Sequence, residues 1–381
     1  VERVAIVIGA GPAGLAVSLG LSGVCSKVLL CEKHPVFDKR GSTFGLALNG
    51  QKTLDELQPG LRKHMANAGV SGGPSGVLVF LWWQMRDILL HHVKQAPNIQ
   101  LHCGEEFSNI TQSEDGVVVS FKSGLELEGS FLVGADGVNS KVREVLQLPV
   151  NLVSDTTNYR GSIEVKSSSS PELQDLLNKG VVPLQVATNG GAMYFLVFNF
   201  HQRHPGRLAW ILATKLDVGE GSGITPHSIA QKNVKDAGTL KLIKEIFDLS
   251  EGHQLQPYPK TSIVDMSDSV LAGMGGGWGG KGCVTLVGDA AHAMRPTDGY
   301  GGSMAFEDAV VLSRILKKKK NNSNKKRMPA LLRKFEKERL PRVKRVYDNQ
   351  FERYELQMSS TAPQQRPPQS KEFLEWLSVG V

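Results

Sequence analysis

The sequence predicts an α/β fold: a parallel-sheet domain interrupted by a smaller α+β domain with an antiparallel sheet, then resumed and closed by a C-terminal helix. Three observations carry this reading. RVAIVIG at 3–9 is a continuous β-branched run, the pattern of a strand buried on both faces. Between about 155 and 265 the text turns to hairpins, VVPLQVATNGGAMYFLVFNF followed by RLAWILATKL. GCVTLVGDAAH at 282–292 then restores buried parallel-strand text. A chain of 381 residues also exceeds what one hydrophobic core usually serves. The expected bounds are 1–155 with 266–320 for the discontinuous first domain, 156–265 for the second, 321–356 for a basic C-terminal helix and 357–381 for a tail.

In chain order, the first strand runs into a glycine-rich turn and a small-residue helix, then a second strand, KVLLCE at 27–32. Helices are expected near 50–57 and 84–95, and strands in GVVVSF and LELEGSFLVGAD. Asn189-Gly190-Gly191 marks a hairpin turn in the second domain. Thr225-Pro226 suits an N-cap and first helical position, and Leu240, Ile243 and Phe247 form a helical stripe. Residues 303–316 read as a helix with Ala305, Ala309, Leu312 and Leu316 on one face, and about 329–356 as a basic amphipathic helix. SSTAPQQRPPQS reads as a linker, and KEFLEWLSVGV as a short docked helix or a loose end.

Composition excludes several classes. Apolar residues make up 40% and charged residues 21%, as in ordinary globular proteins. Cys25, Cys31, Cys103 and Cys283 form no CxxC pair, so neither a metal site nor a disulfide framework is expected, and a reducing compartment fits. The net charge of +7 is local in origin. Residues 317–345 hold 14 Lys/Arg and 2 Asp/Glu, leaving 30 basic and 35 acidic residues elsewhere. Without interleaved stacking aromatics this is no nucleic-acid surface; a solvated face is expected, with weak contact to an anionic membrane as the alternative. The N-terminal apolar run contains glycines and Pro12 and lacks a basic leader region, so no transmembrane span is expected. The expected location is the cytoplasm, or an organelle if a leader has been removed.

Gly9-Ala10-Gly11-Pro12-Ala13-Gly14 fits G-x-G-x-x-G between a strand and a helix, the βαβ start of a Rossmann-like dinucleotide-binding domain. Gly9 permits the tight turn, Gly11 lets backbone approach a pyrophosphate, and Gly14 allows close helix–strand packing. Unpaired N–H groups at the helix start attract the pyrophosphate. Glu32, followed by Lys33, ends the second strand where an acid accepts ribose hydroxyls and disfavours a 2′-phosphate. The resident dinucleotide is therefore FAD or NAD.

FLVGADGVNSKVR (131–143) and VTLVGDAAHAMRP (284–296) each run from an apolar strand into an acid-bearing turn. With the first motif, in this order and spacing, the chain resembles the class A flavoprotein monooxygenases, the aromatic hydroxylase and zeaxanthin epoxidase superfamily, over roughly residues 1–350. The resemblance implies an FAD-binding domain of the glutathione-reductase type. It also implies that Asp136-Gly137 supports the pyrophosphate region and that Asp289 binds the ribityl chain. Arg86 would contact FAD from a helix, and Arg40-Gly41 would lie near a mobile loop beside the flavin. Pro296 would wall the reaction cavity. Gly299, Gly301 and Gly302 would bring backbone against the isoalloxazine, and a helix starting near Ser303 would point its dipole at the flavin N1 edge.

Three positions depart from that pattern: Tyr300, Ser303 and Asp298, the last an added acid that is a candidate base or hydrogen-bond acceptor. Tyr194 and His201 are further candidate acid/base groups, each with a structural role as the alternative. Candidate lining residues are Gln185, Met193, Tyr194, Phe195, Phe198 and Trp210, of which strand alternation turns about half inward. The reaction the resemblance implies starts with NADPH or NADH reducing FAD. O2 then forms a C4a-hydroperoxyflavin, and one oxygen atom hydroxylates or epoxidises an apolar, aromatic or polyene, substrate. The alternatives are an FAD-dependent reductase of the geranylgeranyl-reductase type and a flavin-free escort or binding protein. A flavin halogenase lacks support because no W-x-W-x-I-P stretch occurs.

Overall fold

Five parallel strands form the central sheet, in the order Val284–Leu286, Phe131–Gly134, Val4–Ile8, Lys27–Glu32, Ile99–Cys103. The strand at 284–286 thus completes a sheet begun nearly three hundred residues earlier, pairing Leu132 with Val284 and Gly134 with Leu286. The structure, a computed structural model, describes all residues except 1, 40–42, 74–75, 114–115, 149–150, 154–155, 185–192, 216–224, 252–253, 255–262, 274–276, 279–281, 297, 318–327, 360–368 and 381. The turn at Asn189-Gly190-Gly191 lies outside them.

The stretch read as one strand in LELEGSFLVGAD is two, Glu126–Gly129 and Phe131–Gly134, in different sheets. At the junction Ser130 exchanges backbone and hydroxyl hydrogen bonds with Val4. A Cβ on Gly129 would lie 2.8 Å from Ile6, so the crossover passes too close to the first strand for a side chain. A small antiparallel sheet of Thr43–Leu46, Leu78–Leu81 and Val70–Ser71 had no clear signal in the sequence. Its strands are short and interrupted by the helices Leu48–Leu57 and Leu61–Ala68.

The four-stranded antiparallel sheet has the order Thr156–Glu164, Arg207–Lys215, Met193–Asn199, Val181–Pro183. On one face Tyr159, Phe195, Trp210 and Leu212 pack with Ile243, Ile246 and Phe247 of the helix Ala237–Asp248. The preceding helix, Pro226–Asn233, has the N-cap expected at Thr225, which forms a capping box with Ser228. The other face places Phe198 and Ala209 against Val79 and Leu81, which joins this sheet to the small sheet that contains Leu78–Leu81.

The helix Tyr300–Lys317 is buried almost all round, well beyond the one-sided stripe expected for it. It is sandwiched between the helices Pro12–Ser22, Leu48–Leu57 and Met328–Ser359. A short last helix, Lys371–Ser378, docks through Phe373 and Leu377, after the long C-terminal helix Met328–Ser359.

Candidate functional site

The glycine turn shows which of its glycines the protein itself requires. Gly9 has φ +99°, and a Cβ there would stand 2.6 Å from the Ala135 carbonyl oxygen. On Gly14 a Cβ would come within 1.7 Å of the Gly9 carbonyl oxygen. At Gly11 an added Cβ meets nothing within 4 Å among the described residues. The bare backbone at Gly11 therefore serves no protein neighbour; it keeps open the space in front of the helix N-terminus, where an anion is attracted. Glu32 closes the far side of that space, its Oε2 accepting from the Ala10 N–H at 2.9 Å and its Oε1 from the His34 N–H at 3.0 Å. Those bonds fix the carboxylate while leaving further lone pairs for hydroxyl donors. Lys33 is exposed beside it. An adenosine ribose and a pyrophosphate fit this cradle of charges and open backbone.

Asp136 is committed differently. Its Oδ1 accepts from the Ser140 hydroxyl at 2.6 Å, and its Oδ2 from the N–H groups of Lys141 at 2.7 Å and Val142 at 3.0 Å. The Asp136 carboxylate thereby fastens the turn that opens the helix Lys141–Val145. The adjacent Gly137, at φ +82°, faces open space.

Asp289 lies in the turn after Val284–Leu286, on a short helix that follows Gly288. The residue is exposed to solvent although protein crowds its carboxyl. That crowding pushes its pKa above the ordinary carboxylate range, while His292 and Arg160 act in the opposite sense. Gly301 faces the same space, since a Cβ there would meet only the Asp289 Oδ1, at 3.9 Å. The neighbouring glycines do something else. Gly299, at φ +71°, packs on Gly45, and a Cβ on Gly302 would strike the Phe44 ring at 2.0 Å. Only Gly301 of the three is turned to the groove, because Gly299 and Gly302 are used to seat the strand Thr43–Leu46.

The helix behind them starts at Tyr300, three residues before Ser303. Ser303 is fully buried, donating to the Gly299 carbonyl at 2.7 Å and accepting the Ala47 N–H at 2.9 Å, so its hydroxyl fastens the turn. Asp298 has φ +60° and receives the Arg353 Nη1 at 2.8 Å. The added acid is thus balanced by a cation from the C-terminal helix, which argues against its candidate role as a base. Pro296 is exposed. Arg86 is buried, with its guanidinium over the rings of Phe37 and Trp82 and bonded to Asp87 at 2.8 Å. Arg40 and Gln185 lie outside the described residues.

The four-stranded sheet sorts the remaining candidates by face. Phe195 and Trp210 are fully buried and stacked at 5.9 Å on the helix side, with Met193 in the same cluster. They face the helix Ala237–Asp248. Tyr194, Leu196, Phe198 and Ile211 alternate with them onto the opposite face, as does Arg160, whose charge reaches Asp289. His201 is exposed in the turn after this strand, where its Nδ1 accepts the Gly206 N–H at 2.9 Å. This bond gives it a structural role in closing the turn.

Two features that sequence reasoning missed hold the site together. Arg143 is buried and donates to the Ala290 carbonyl at 2.8 Å and the Val138 carbonyl at 2.5 Å, tying both acid-bearing turns to each other. From the other side, Asp308 accepts the Gly288 N–H. The Arg in SKVR and the acids Glu307-Asp308 inside an apolar helix stripe were the available signals. Trp278, in the glycine-rich stretch before Val284–Leu286, is buried and donates to the Leu286 carbonyl at 2.9 Å. It is a core anchor.

The chain matches the FAD binding domain family over residues 37–350 and belongs to it. Its relatives are FAD-dependent monooxygenases. The FAD-dependent monooxygenase ptmM of Penicillium ochrochloron is 26% identical over 90% of this chain and 86% of the relative. The chloroplastic zeaxanthin epoxidase of an Oncidium hybrid cultivar is 30% identical over 61% of this chain and 32% of its own length. Among solved structures, CtdE in complex with FAD superposes with a TM-score of 0.73 at 17% identity, covering 94% of each chain. No helix among the described residues is long and apolar enough to cross a membrane.

Proposed function

We propose that the protein uses NADPH or NADH and O2 to hydroxylate or epoxidise an apolar substrate of aromatic or polyene size. The reading is supported by one juxtaposition: the exposed acid Asp289, in the turn after the strand Val284–Leu286, is near enough to Arg160 of the antiparallel sheet for that cation to act against the rise in its pKa. The chemistry FAD supplies when bound is activation of O2 with electrons from the nicotinamide, one oxygen atom passing to substrate and the other to water.

The chain's own residues bind and orient. The N–H groups opening Pro12–Ser22 take the pyrophosphate, Glu32 the adenosine ribose, and Asp289 the ribityl hydroxyls. The Asp136 cap and the Arg143 clamp fix the two turns between which the cofactor runs. The substrate lies against Tyr194, Leu196 and Ile211, whose apolar surface excludes water from the reacting edge. Tyr194 is the candidate there to exchange a proton with a phenolic or alcoholic group, and Arg160 to hold an oxygen atom of the substrate.

Purified protein reconstituted with FAD is expected to show flavin absorbance that NADPH or NADH bleaches. A member of a panel of phenols and polyenes should accelerate the bleaching, and air should restore the colour with formation of an oxygenated product. Bleaching with saturation of a double bond and no oxygen requirement would replace this reading with a reductase; failure to bind FAD at all would leave a binding protein.

A further inference from the structure

We propose that Asp308, with His292 and Arg339, is a positioning residue for the cofactor: it sets the Asp289 turn and makes retention of the ribityl end depend on the C-terminal helix Met328–Ser359. The inference rests on Asp289 holding the ribityl chain, as proposed above.

The turn that carries Asp289 hinges on one glycine. Gly288 has φ +56°, and a Cβ there would lie 2.8 Å from the Ala13 Cβ. Glycine at this position frees the turn to pass close to the dinucleotide helix, and it leaves the conformation loosely determined. The Gly288 carbonyl accepts from the Ala291 and His292 N–H groups and Arg143 holds the Ala290 carbonyl, while the Gly288 amide is fixed by Asp308. Its Oδ2 accepts the Gly288 N–H at 3.0 Å and faces the His292 Nε2 at 2.7 Å, and its Oδ1 takes the Arg339 Nε at 2.7 Å. Asp308 and His292 are fully buried and Arg339 is 1% exposed.

The anchor is itself anchored from a distant part of the chain. Arg339 continues to the Glu307 Oε2 at 2.8 Å and the Met304 carbonyl at 3.2 Å. Glu307 also receives both Arg342 donors at 2.7 Å and the Asn49 amide at 2.9 Å. A buried carboxylate is costly unless its partners surround it, and apolar side chains would fill the same space with less desolvation. Here the charges converge on one backbone amide, next to the acid that faces the groove. The C-terminal helix, expected as a solvated basic face, turns Arg339 and Arg342 inward for this purpose. Burial works to raise the Asp308 pKa; His292 and Arg339 outweigh it and hold the carboxyl down at about 2, so it stays ionised at neutral pH.

The test compares two ligands on the full chain stripped of flavin. FAD engages both ends of the cradle, whereas ADP engages the Gly11–Glu32 end alone. The isosteric variant Asp308→Asn should weaken FAD at least tenfold while ADP binds as in the wild type, both by titration calorimetry. Should Asp308→Asn fail to fold because Arg339 is left unbalanced, the charge-neutral pair Asp308→Asn with Arg339→Gln is used and should give the same split. Unchanged FAD affinity, or equal losses for FAD and ADP, would overturn the proposal, the second by showing general damage. Asp289→Ala separates the two readings. Loss of FAD there with retention in the Asp308 variants defeats only this inference, whereas full FAD affinity in Asp289→Ala removes the ribityl assignment beneath it.

Discussion

Gly11 and Gly14 belong to one motif and do unlike work. A methyl at Gly14 has no room against the Gly9 carbonyl, so Gly14→Ala should destabilise the flavin-free protein by about 3 kcal/mol or more. Gly11→Ala meets no protein atom, and Gly11 has φ −71°, which alanine adopts freely. Its flavin-free thermal midpoint should hold or rise slightly, since losing a glycine costs the unfolded chain freedom worth roughly 0.4–1 kcal/mol. FAD affinity should nevertheless fall by an order of magnitude. Thermal melts and FAD titrations of both variants check this; a stable Gly11→Ala with normal FAD affinity would contradict the cradle. The motif and Glu32 were legible because strand, turn and helix all follow from local sequence. Asp136, Ser303 and Asp298 were legible as positions but not as roles. Whether an acid faces a ligand, caps a helix or pairs with Arg353 depends on residues that the local sequence does not contain.

At the scale of elements, the alternation in MYFLVFNF correctly required two faces. It could not say which face meets the cofactor domain, because helices cover one and strand Leu78–Leu81 meets the other, so both read as apolar. The parallel strands were easier, being apolar on both sides. Their pairing has a chemical consequence: Glu32 lies directly beside Cys103, the one exposed cysteine. Partial desolvation by its neighbours and the Glu32 charge raise the Cys103 pKa against the opposing Lys94, and burial pushes Cys31 up to about 12. Iodoacetamide should therefore modify Cys103 first, slowly at neutral pH and faster as pH rises. ADP or FAD should protect it. Peptide mapping by mass spectrometry decides the matter, and modification of Cys103 at the same rate with and without ADP would place the ribose elsewhere.

For the whole molecule, the return of strand text at 284 made the last strand of the parallel sheet legible, and the charge of 317–345 was legible as a cluster. It did not reveal that part of that cluster folds inward, since the acids that draw in Arg339 and Arg342 sit some thirty residues earlier. The buried network sets an acid limit. Asp308, at 3.8 in the unfolded chain and about 2 when folded, binds fewer protons folded than unfolded across that window. Glu307 is also held below its ordinary value: burial opposes this, and Arg342 and Arg339 prevail. Their contribution is present above about pH 4 and lost as pH falls towards 2, with Asp308 alone worth on the order of 2 kcal/mol. Melting of the wild type should show this acid decline, and the Asp308→Asn/Arg339→Gln pair should flatten it. The claim that joins all three scales is that the cradle and the sheet face together deliver oxygen to an apolar substrate. It is tested most directly by turnover under isotopically heavy O2 with whichever phenol or polyene accelerates flavin reduction. The heavy isotope is expected in the product; a product formed without it would contradict the account.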